Sequence, residues 1–444
     1  MIKNIEKLII DKNYSQLKLE LIKLNEADIA EILEKLEDED LVKIFRLLPK
    51  DLAALVFSYL SIENQQIIIK ALSDKEAASI IDNMYADDAA DLIDEMPSNV
   101  VKKLLSNTTK ETRRDINFLL KYEDDSAGSI MTVEFIDFKE NYTVKKALDI
   151  IKKEAIESEN IDICYVLDNT RKLLGFVTLK SILTTDENKL IKDIMKKVNV
   201  KVSTHTDQEI VANKFKKYDL NIIPVVDSEN KLVGIITIDD IVDIIEEENT
   251  EDIEKMAAIT PNDKPYIKTG IFETYKKRIP WLLLLMISAT FTGKIIQNYE
   301  QALASYVVLT SFIPMLMDTG GNAGSQASVT IIRSLSLNEI KFKDIFKVIS
   351  KEIVVALAVG LTLAVANFIK LLVIDRVSIT IAIIVCLTLL ITVICAKIVG
   401  SSLPMIAKRI GFDPAVMASP FITTIVDALS LIIYFNIATH LLGI

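Results

Sequence analysis

The sequence predicts a multi-domain protein: an all-α superhelical N-terminal domain, an α/β tandem pair, a long connector helix, and a polytopic α-helical membrane domain with five transmembrane helices. Three observations predict it. First, charge splits the chain of 444 residues. Residues 1–270 hold 53 acidic and 37 basic side chains, net −16; residues 271–444 hold 9 and 14, net +5. Second, one strand-turn-strand pattern occurs twice near the middle of the chain. Third, the last third carries apolar stretches of about the twenty residues a bilayer needs.

The same arithmetic excludes several classes. The last third is too apolar to be one soluble core. An acidic soluble part argues against nucleic acid, which needs an excess of Lys and Arg. The abundance of Ile and Leu argues against disorder. Cys164, Cys386 and Cys395 form no CxxC, and only His205 and His440 occur, so neither a disulfide framework nor a His-rich zinc site fits. No nucleophile–base pair stands out, so the chain does not read as an enzyme. Residues 1–16 are amphipathic and soon acidic, which reads as cytosolic and not as a signal peptide.

Residues 1–125 read as a succession of short helices. Apolar residues fall at helical spacing: Ile29, Ile32, Leu33 and Leu36; Leu52, Leu55, Val56 and Leu60; Ala78, Ile80, Ile81 and Met84. Start signals recur about every twelve residues, at Pro49-Lys50-Asp51, Ser61, Ser73-Asp74, Asp87-Asp88 and Pro97-Ser98. The pattern predicts a superhelical stack, with an ordinary bundle as the alternative.

Residues 126–250 change character. Asp168, Lys172, Leu173, Gly175, Thr178 and Ile182 align with Asp227, Lys231, Leu232, Gly234, Thr237 and Ile241. Each copy reads strand, polar turn, strand, helix, with a further helix upstream at 143–154 and 207–217. Ile130-Met131 and Ile194-Met195 open the copies, at about 130–190 and 191–250. This resembles a tandem pair of CBS domains. In such domains a Thr-x-x-Asp after the second strand often holds a nucleotide. The second copy has it in Thr237 and Asp240, whereas the first has Thr178 with Ser181. The resemblance therefore implies at most one adenine-nucleotide cleft, with ATP as a regulator; the alternative is a purely structural module.

Residues 251–278 form the connector, with a helix to about Ile259 before Pro261 and a second amphipathic piece ending in Lys276-Lys277-Arg278. The membrane domain, 279–444, reads as five spans at about 281–297, 302–336 with an interruption, 352–374, 378–404 and 415–442. Basic loops at 276–278, 341–351 and 408–409 alternate with poor ones. The positive-inside rule then puts the N-terminal domains in the cytoplasm and the C-terminus outside.

Polar groups within a span are functional candidates. Span two contains Pro314, Gly320, Gly321, Asn322, Gly324 and Gln326, which predict a helix broken at membrane depth, with carbonyls freed to face a cation; the alternative is close packing through small residues. Span five contains Pro420 and Asp427, the latter with apolar neighbours and no Lys or Arg in the span. An isolated carboxylate there is costly unless hydrated or near a cation, so Asp427 is the principal pore candidate. Asp413, before Pro414, either lines the inner mouth or caps the helix. Carboxylate, amide and carbonyl oxygens suit a hard divalent cation, and Mg2+ is usually held by one or two carboxylates through its waters.

The domain order, the Gly-Gly-Asn-x-Gly-x-Gln of span two and the Asp-Pro-Ala…Pro…Asp of span five together resemble the MgtE family of Mg2+ transporters or channels. The resemblance implies a homodimer in the plasma membrane, a pore between the subunits, Asp427 as ligand of hydrated Mg2+, and Asp413 at the inner mouth. It implies cytosolic Mg2+ sensing at Asp87 and Asp91 in the helical domain. Further positions are Asp207, Glu209, Asp219, Asp240 and Asp243 in the second CBS domain, and Glu248, Glu251 and Asp252 in the connector. The pore would close when these sites fill. Leu55 stands where the family can offer a further Glu. Independently, a surface of net −16 repels itself, and divalent cations would relieve the repulsion in a compact form. The alternatives are a CBS-regulated transporter of Co2+, Mn2+ or Ca2+, and a membrane-anchored sensor that transports nothing. No Walker motif is present, so ATP would not be the energy source.

Overall fold

The computed structural model describes residues 2–156, 158–262, 266–267 and 269–443. Within the connector stretch, residues 263–265 and 268 lie outside the described residues. The chain divides into two compact units, 1–245 and 246–444.

The first unit begins with α1 (Ile2–Ile10), α2 (Tyr14–Leu21), α3 (Glu26–Glu34), α4 (Asp38–Phe45), α5 (Lys50–Ser58), α6 (Ile62–Ala71), α7 (Asp74–Ile81), α8 (Ala86–Asp94), α9 (Ser98–Asn107) and α10 (Lys110–Leu119). Short polar residues start them: Asn25 and Thr109 accept from first-turn amides, and Ser73 forms a reciprocal capping box with Glu76. From α3 onward, helices pack on the helix two along: α3 on α5, α4 on α6, α5 on α7, α7 on α9, α8 on α10. That is a stack and not a bundle. Ile29, Leu33, Val56, Phe57 and Ile81 form its dry interior.

Two three-stranded sheets follow. The first holds β1 (Phe135–Lys139), α11 (Val144–Glu154), β2 (Asn160–Leu167), β3 (Leu173–Thr178) and α12 (Leu179–Leu183). The second holds β4 (Val202–Ser203), α13 (Gln208–Tyr218), β5 (Ile222–Val226), β6 (Leu232–Thr237) and α14 (Ile238–Met256). In each, the first strand pairs parallel with the second and the third antiparallel. The repeats exchange their leading segments. Thr132 pairs with Ile235 of β6, and Lys196 with Phe176 of β3. This explains the paired glycines. A Cβ at Gly175 would sit 2.6 Å from the Lys196 carbonyl, and one at Gly234 2.7 Å from that of Thr132. The connector helix is no separate element; α14 starts at Ile238, because nothing between Asp239 and Met256 breaks a helix.

The second unit holds α15 (Ile271–Asn298), α16 (Glu300–Ser305), α17 (Ile313–Ser336), α18 (Ile345–Val373), α19 (Ile379–Arg409) and α20 (Ser419–Leu442). Among the described residues, four segments are long and apolar enough to cross a bilayer: 271–298, 342–373, 379–409 and 414–442. The 24-residue α17 falls outside that set because Asp318, Asn322, Gln326 and Arg333 interrupt its apolar run.

The expected helix break is not there. The helix is continuous through Gly320, Gly321, Asn322 and Gln326, and the irregular backbone lies earlier, at Tyr306 and a 3-10 turn over Val307–Phe312. Pro314 and Pro420 both stand in the first turn of their helices, where the missing N–H costs no hydrogen bond. The glycines serve close packing instead. A Cβ at Gly320 would meet Thr392 of α19 at 2.7 Å and Ser430 and Val426 of α20 at 2.9 Å. One at Gly324 would meet Ile422 at 2.7 Å, and Gly400 of α19 packs on the backbone of Gly324. Behind this contact, Lys397 of α19 is only 5% exposed and pairs with Glu352 of α18 at 3.5 Å.

Candidate functional site

The sequence candidates fall into three places. The first is the contact of α17 with α20. The helices run antiparallel, with Gly324 against Ile422, Gly321 against Thr423, and Gly320 against Val426 and Ser430. Asp427 follows Val426, is half-buried, and lies in a helix that contains no Lys or Arg. Asp318, on α17, lies three residues before Gly321, and Asp427 four residues after Thr423, one on each helix of that contact. Asp318 is not among the sequence candidates; it lies just before the glycine run, with no motif of its own.

The second place is the turn that opens α20. Asp413 takes the capping role. Its Oδ1 accepts from Ala415 N at 2.8 Å and caps the 3-10 turn Pro414–Met417, while its Oδ2 accepts from Lys255 Nζ at 2.7 Å. Lys255 Nζ also holds Glu251 Oε1 at 2.6 Å. Burial pulls the Lys255 pKa down, but the bonds to Asp413 and Glu251 outweigh it and the net shift is upward, so the ammonium stays charged. Met256 packs beside it on Ile332, Ala415 and Ala418. Glu248 and Asp252 lie on the same helix.

The third place is in the first unit. Carboxylate oxygens of Asp87 (first turn of α8), Glu159 (before β2) and Asp240 (first turn of α14) lie within 4.8 Å of one another. Among the described residues this is the one group of three that could hold a metal ion. The helix starts bring Asp87 and Asp240 here, where N-terminal N–H groups favour a carboxylate. The β1–β2 register, Phe135 beside Asn160, delivers Glu159. No motif marks Glu159; only that register could have pointed to it. Beside the trio, Glu134 accepts from Ala86 N at 3.1 Å and from Thr132 Oγ1 at 2.6 Å. Asp87 is 9% exposed. Burial, and then repulsion from Glu159, Asp88, Asp240 and Glu134, push its pKa well up. Burial, and then Asp240, push Glu159 up to about 7, and burial pushes Asp240 up to about 6. These groups want a cation.

Other candidates lie apart. Asp91 and Asp243 are exposed, one turn beyond Asp87 and Asp240. Asp207 caps the start of α13, binding the amides of Glu209 and Ile210, and Asp219 sits left-handed at its end (φ 51°). Eleven residues of helix, about 17 Å, separate them. Thr237 is 4% exposed and its hydroxyl donates to Asp240 Oδ2, so in this structure both side chains of the suspected nucleotide motif engage each other.

Three family models match the chain: a divalent cation transporter model over residues 313–437, the MgtE intracellular N domain over 24–125, and CBS domains over 127–187 and 191–247. The magnesium transporter MgtE of Thermus thermophilus is 35% identical over 335 residues, 74% of this chain and 73% of its own length. That of Bacillus subtilis is 34% identical over 339 residues, 76% and 74% of the two chains. A solved structure described as the cytosolic domain of the Mg2+ channel MgtE in complex with ATP aligns with TM-score 0.53 and 31% identity, covering 55% of this chain and all of that one.

Proposed function

Because this chain belongs to the MgtE family, whose named members are transporters and not enzymes, we propose that it conducts Mg2+ across the plasma membrane into the cell, down its electrochemical gradient. One observation carries the reading: Asp427, a carboxylate in an otherwise apolar α20, stands on the face where glycines draw α17 close. A carboxylate at membrane depth is costly without a cation, and Mg2+ with its waters is a fitting occupant.

On this reading α17 is the fifth span, its polar face covered by α19 and α20. Two copies of the chain enclose the path, so that each contributes one Asp427. Asn322 and Gln326 line it on α17, and Asp413 forms the inner mouth. The 1–245 unit faces the cytoplasm and the C-terminus faces outside. The acidic trio Asp87, Glu159 and Asp240 binds cytosolic Mg2+, as do Asp91, Asp207, Glu209, Asp219, Asp243, Glu248, Glu251 and Asp252, and filling these sites closes the path. ATP, which the aligned relative binds, is a candidate regulator here at Thr237 and Asp240.

The test is Mg2+ uptake into vesicles holding the purified full chain, native against Asp427→Ala. Loss of uptake with folding and assembly intact is expected. Unchanged uptake would place the path elsewhere, and no uptake by either protein at low internal Mg2+ would leave a sensor that transports nothing.

A further inference from the structure

Asp318 has no part in the proposal above, yet the packing of α17 on α20 gives it one. From the contact between Gly321 and Thr423, Asp318 lies three residues back along α17 and Asp427 four residues on along α20. Residues three or four apart share a helix face. Because the helices are antiparallel, both steps lead toward the same end of the pair, and the two carboxylates come into register. The α20 helix carries no Lys or Arg, and the lone Arg333 of α17 lies four turns from Asp318. Two like charges so placed in a medium of low dielectric call for a cation between them.

We infer that Asp318 is the second carboxylate of the ion path and sets its preference for divalent over monovalent cations. The inference rests on the Asp427 reading and extends it. With both aspartates ionised, each subunit offers two negative charges. Two copies place four in the path, and a hydrated divalent cation offsets two of them where Na+ or K+ offsets one. The outer waters of Mg2+ give each carboxylate a hydrogen-bond donor, so neither needs to strip the ion. Asp318 is exposed in the single chain, which leaves its oxygens free to face such waters.

The test measures initial uptake into vesicles by the full chain over a range of external Mg2+, with K+ flux measured in parallel, for the native protein, Asp318→Asn, Asp318→Glu and Asp427→Asn. Asp318→Asn is expected to raise the half-saturating Mg2+ concentration roughly ten- to hundredfold, a range typical of losing a supporting metal contact, and to admit more K+ relative to Mg2+. Asp318→Glu keeps the charge and is expected to keep the preference. Should the amide variant not assemble, Asp318→Ser gives the same readout. Unchanged half-saturation and ion preference in the neutral variants, with uptake lost in Asp427→Asn, would overturn the role of Asp318 alone. Equal loss of preference in Asp318→Glu and Asp318→Asn would also overturn it, since charge would not be what acts. Unchanged uptake in Asp427→Asn would instead remove the reading on which the inference stands.

Discussion

At the scale of single residues, the acidic trio has a testable signature. Asp87, Glu159 and Asp240 all hold protons more tightly in the folded chain than in an unfolded one. Between about pH 4 and about pH 7 the folded form therefore carries more protons, and raising pH through that window lowers stability. In metal-free buffer the full chain is expected to melt lower at about pH 7.5 than at about pH 5.5, with Mg2+ narrowing the gap. Glu159→Gln removes one repelling charge. It is expected to raise the metal-free melting temperature at the higher pH by roughly 2–4 °C and to weaken stabilisation by Mg2+; thermal scans with and without Mg2+ check both, and a variant indistinguishable from native contradicts the cluster. Lys255 is the second residue of this kind. Its ammonium occupies Asp413 and Glu251, the oxygens a cation would use. Lys255→Met is expected to let cytosolic Mg2+ suppress uptake at several-fold lower concentration, measured as flux against Mg2+. Asp87, in a helix-start signal, and Asp240, in the Thr-x-x-Asp of the second repeat, entered as cation sites through the family resemblance. Glu159 was not legible in the sequence, because three residues from three elements meet only through a strand register no short motif encodes.

At the scale of elements, α17 is where sequence reading and structure diverge most usefully. Pro314, Gly320, Gly321 and Gly324 look like breakers when counted along the chain. In the fold the proline sits in the first turn, Gly320 and Gly324 face neighbours too close for a Cβ, and Gly321 is in tight contact with Thr423. Propensity is a local quantity, and the contacts of Gly324 with Ile422 and Gly400 are not. Gly400→Ala is expected to force α17 and α19 apart, lowering the yield of folded protein on size exclusion. By contrast, the repeat at 165–182 and 224–241, the helical spacing of residues 1–125 and the apolar runs of α18, α19 and α20 were all legible, since each rests on period and composition. The pair Lys397–Glu352 was not, because it depends on how α18 packs on α19, which no motif encodes. Lys397→Met leaves Glu352 buried without a partner and is expected to destabilise the fold by about 3–5 kcal/mol. Replacing both, with Glu352→Gln, is expected to recover most of that in denaturation experiments.

At the scale of the whole molecule, one chain combines an acidic unit with net charge −16 over residues 1–270 and an apolar, slightly basic one. The two halves suit two tasks for one ion. On the proposed function, excess carboxylate would make the compact form of the acidic unit dependent on divalent cations, and sparse carboxylates at membrane depth would give those cations a path. A ligand shifts such an equilibrium only by its difference in affinity between the two forms, so the sensing acids must bind Mg2+ more tightly when the path is closed. The most direct measurement is flux through the reconstituted full chain as Mg2+ on the cytosolic side is raised, for native protein and for an Asp87→Ala, Asp240→Ala double variant. The account predicts that native flux falls as cytosolic Mg2+ rises, while the double variant keeps conducting at concentrations that silence the native chain. Superimposable curves for the two proteins would contradict it.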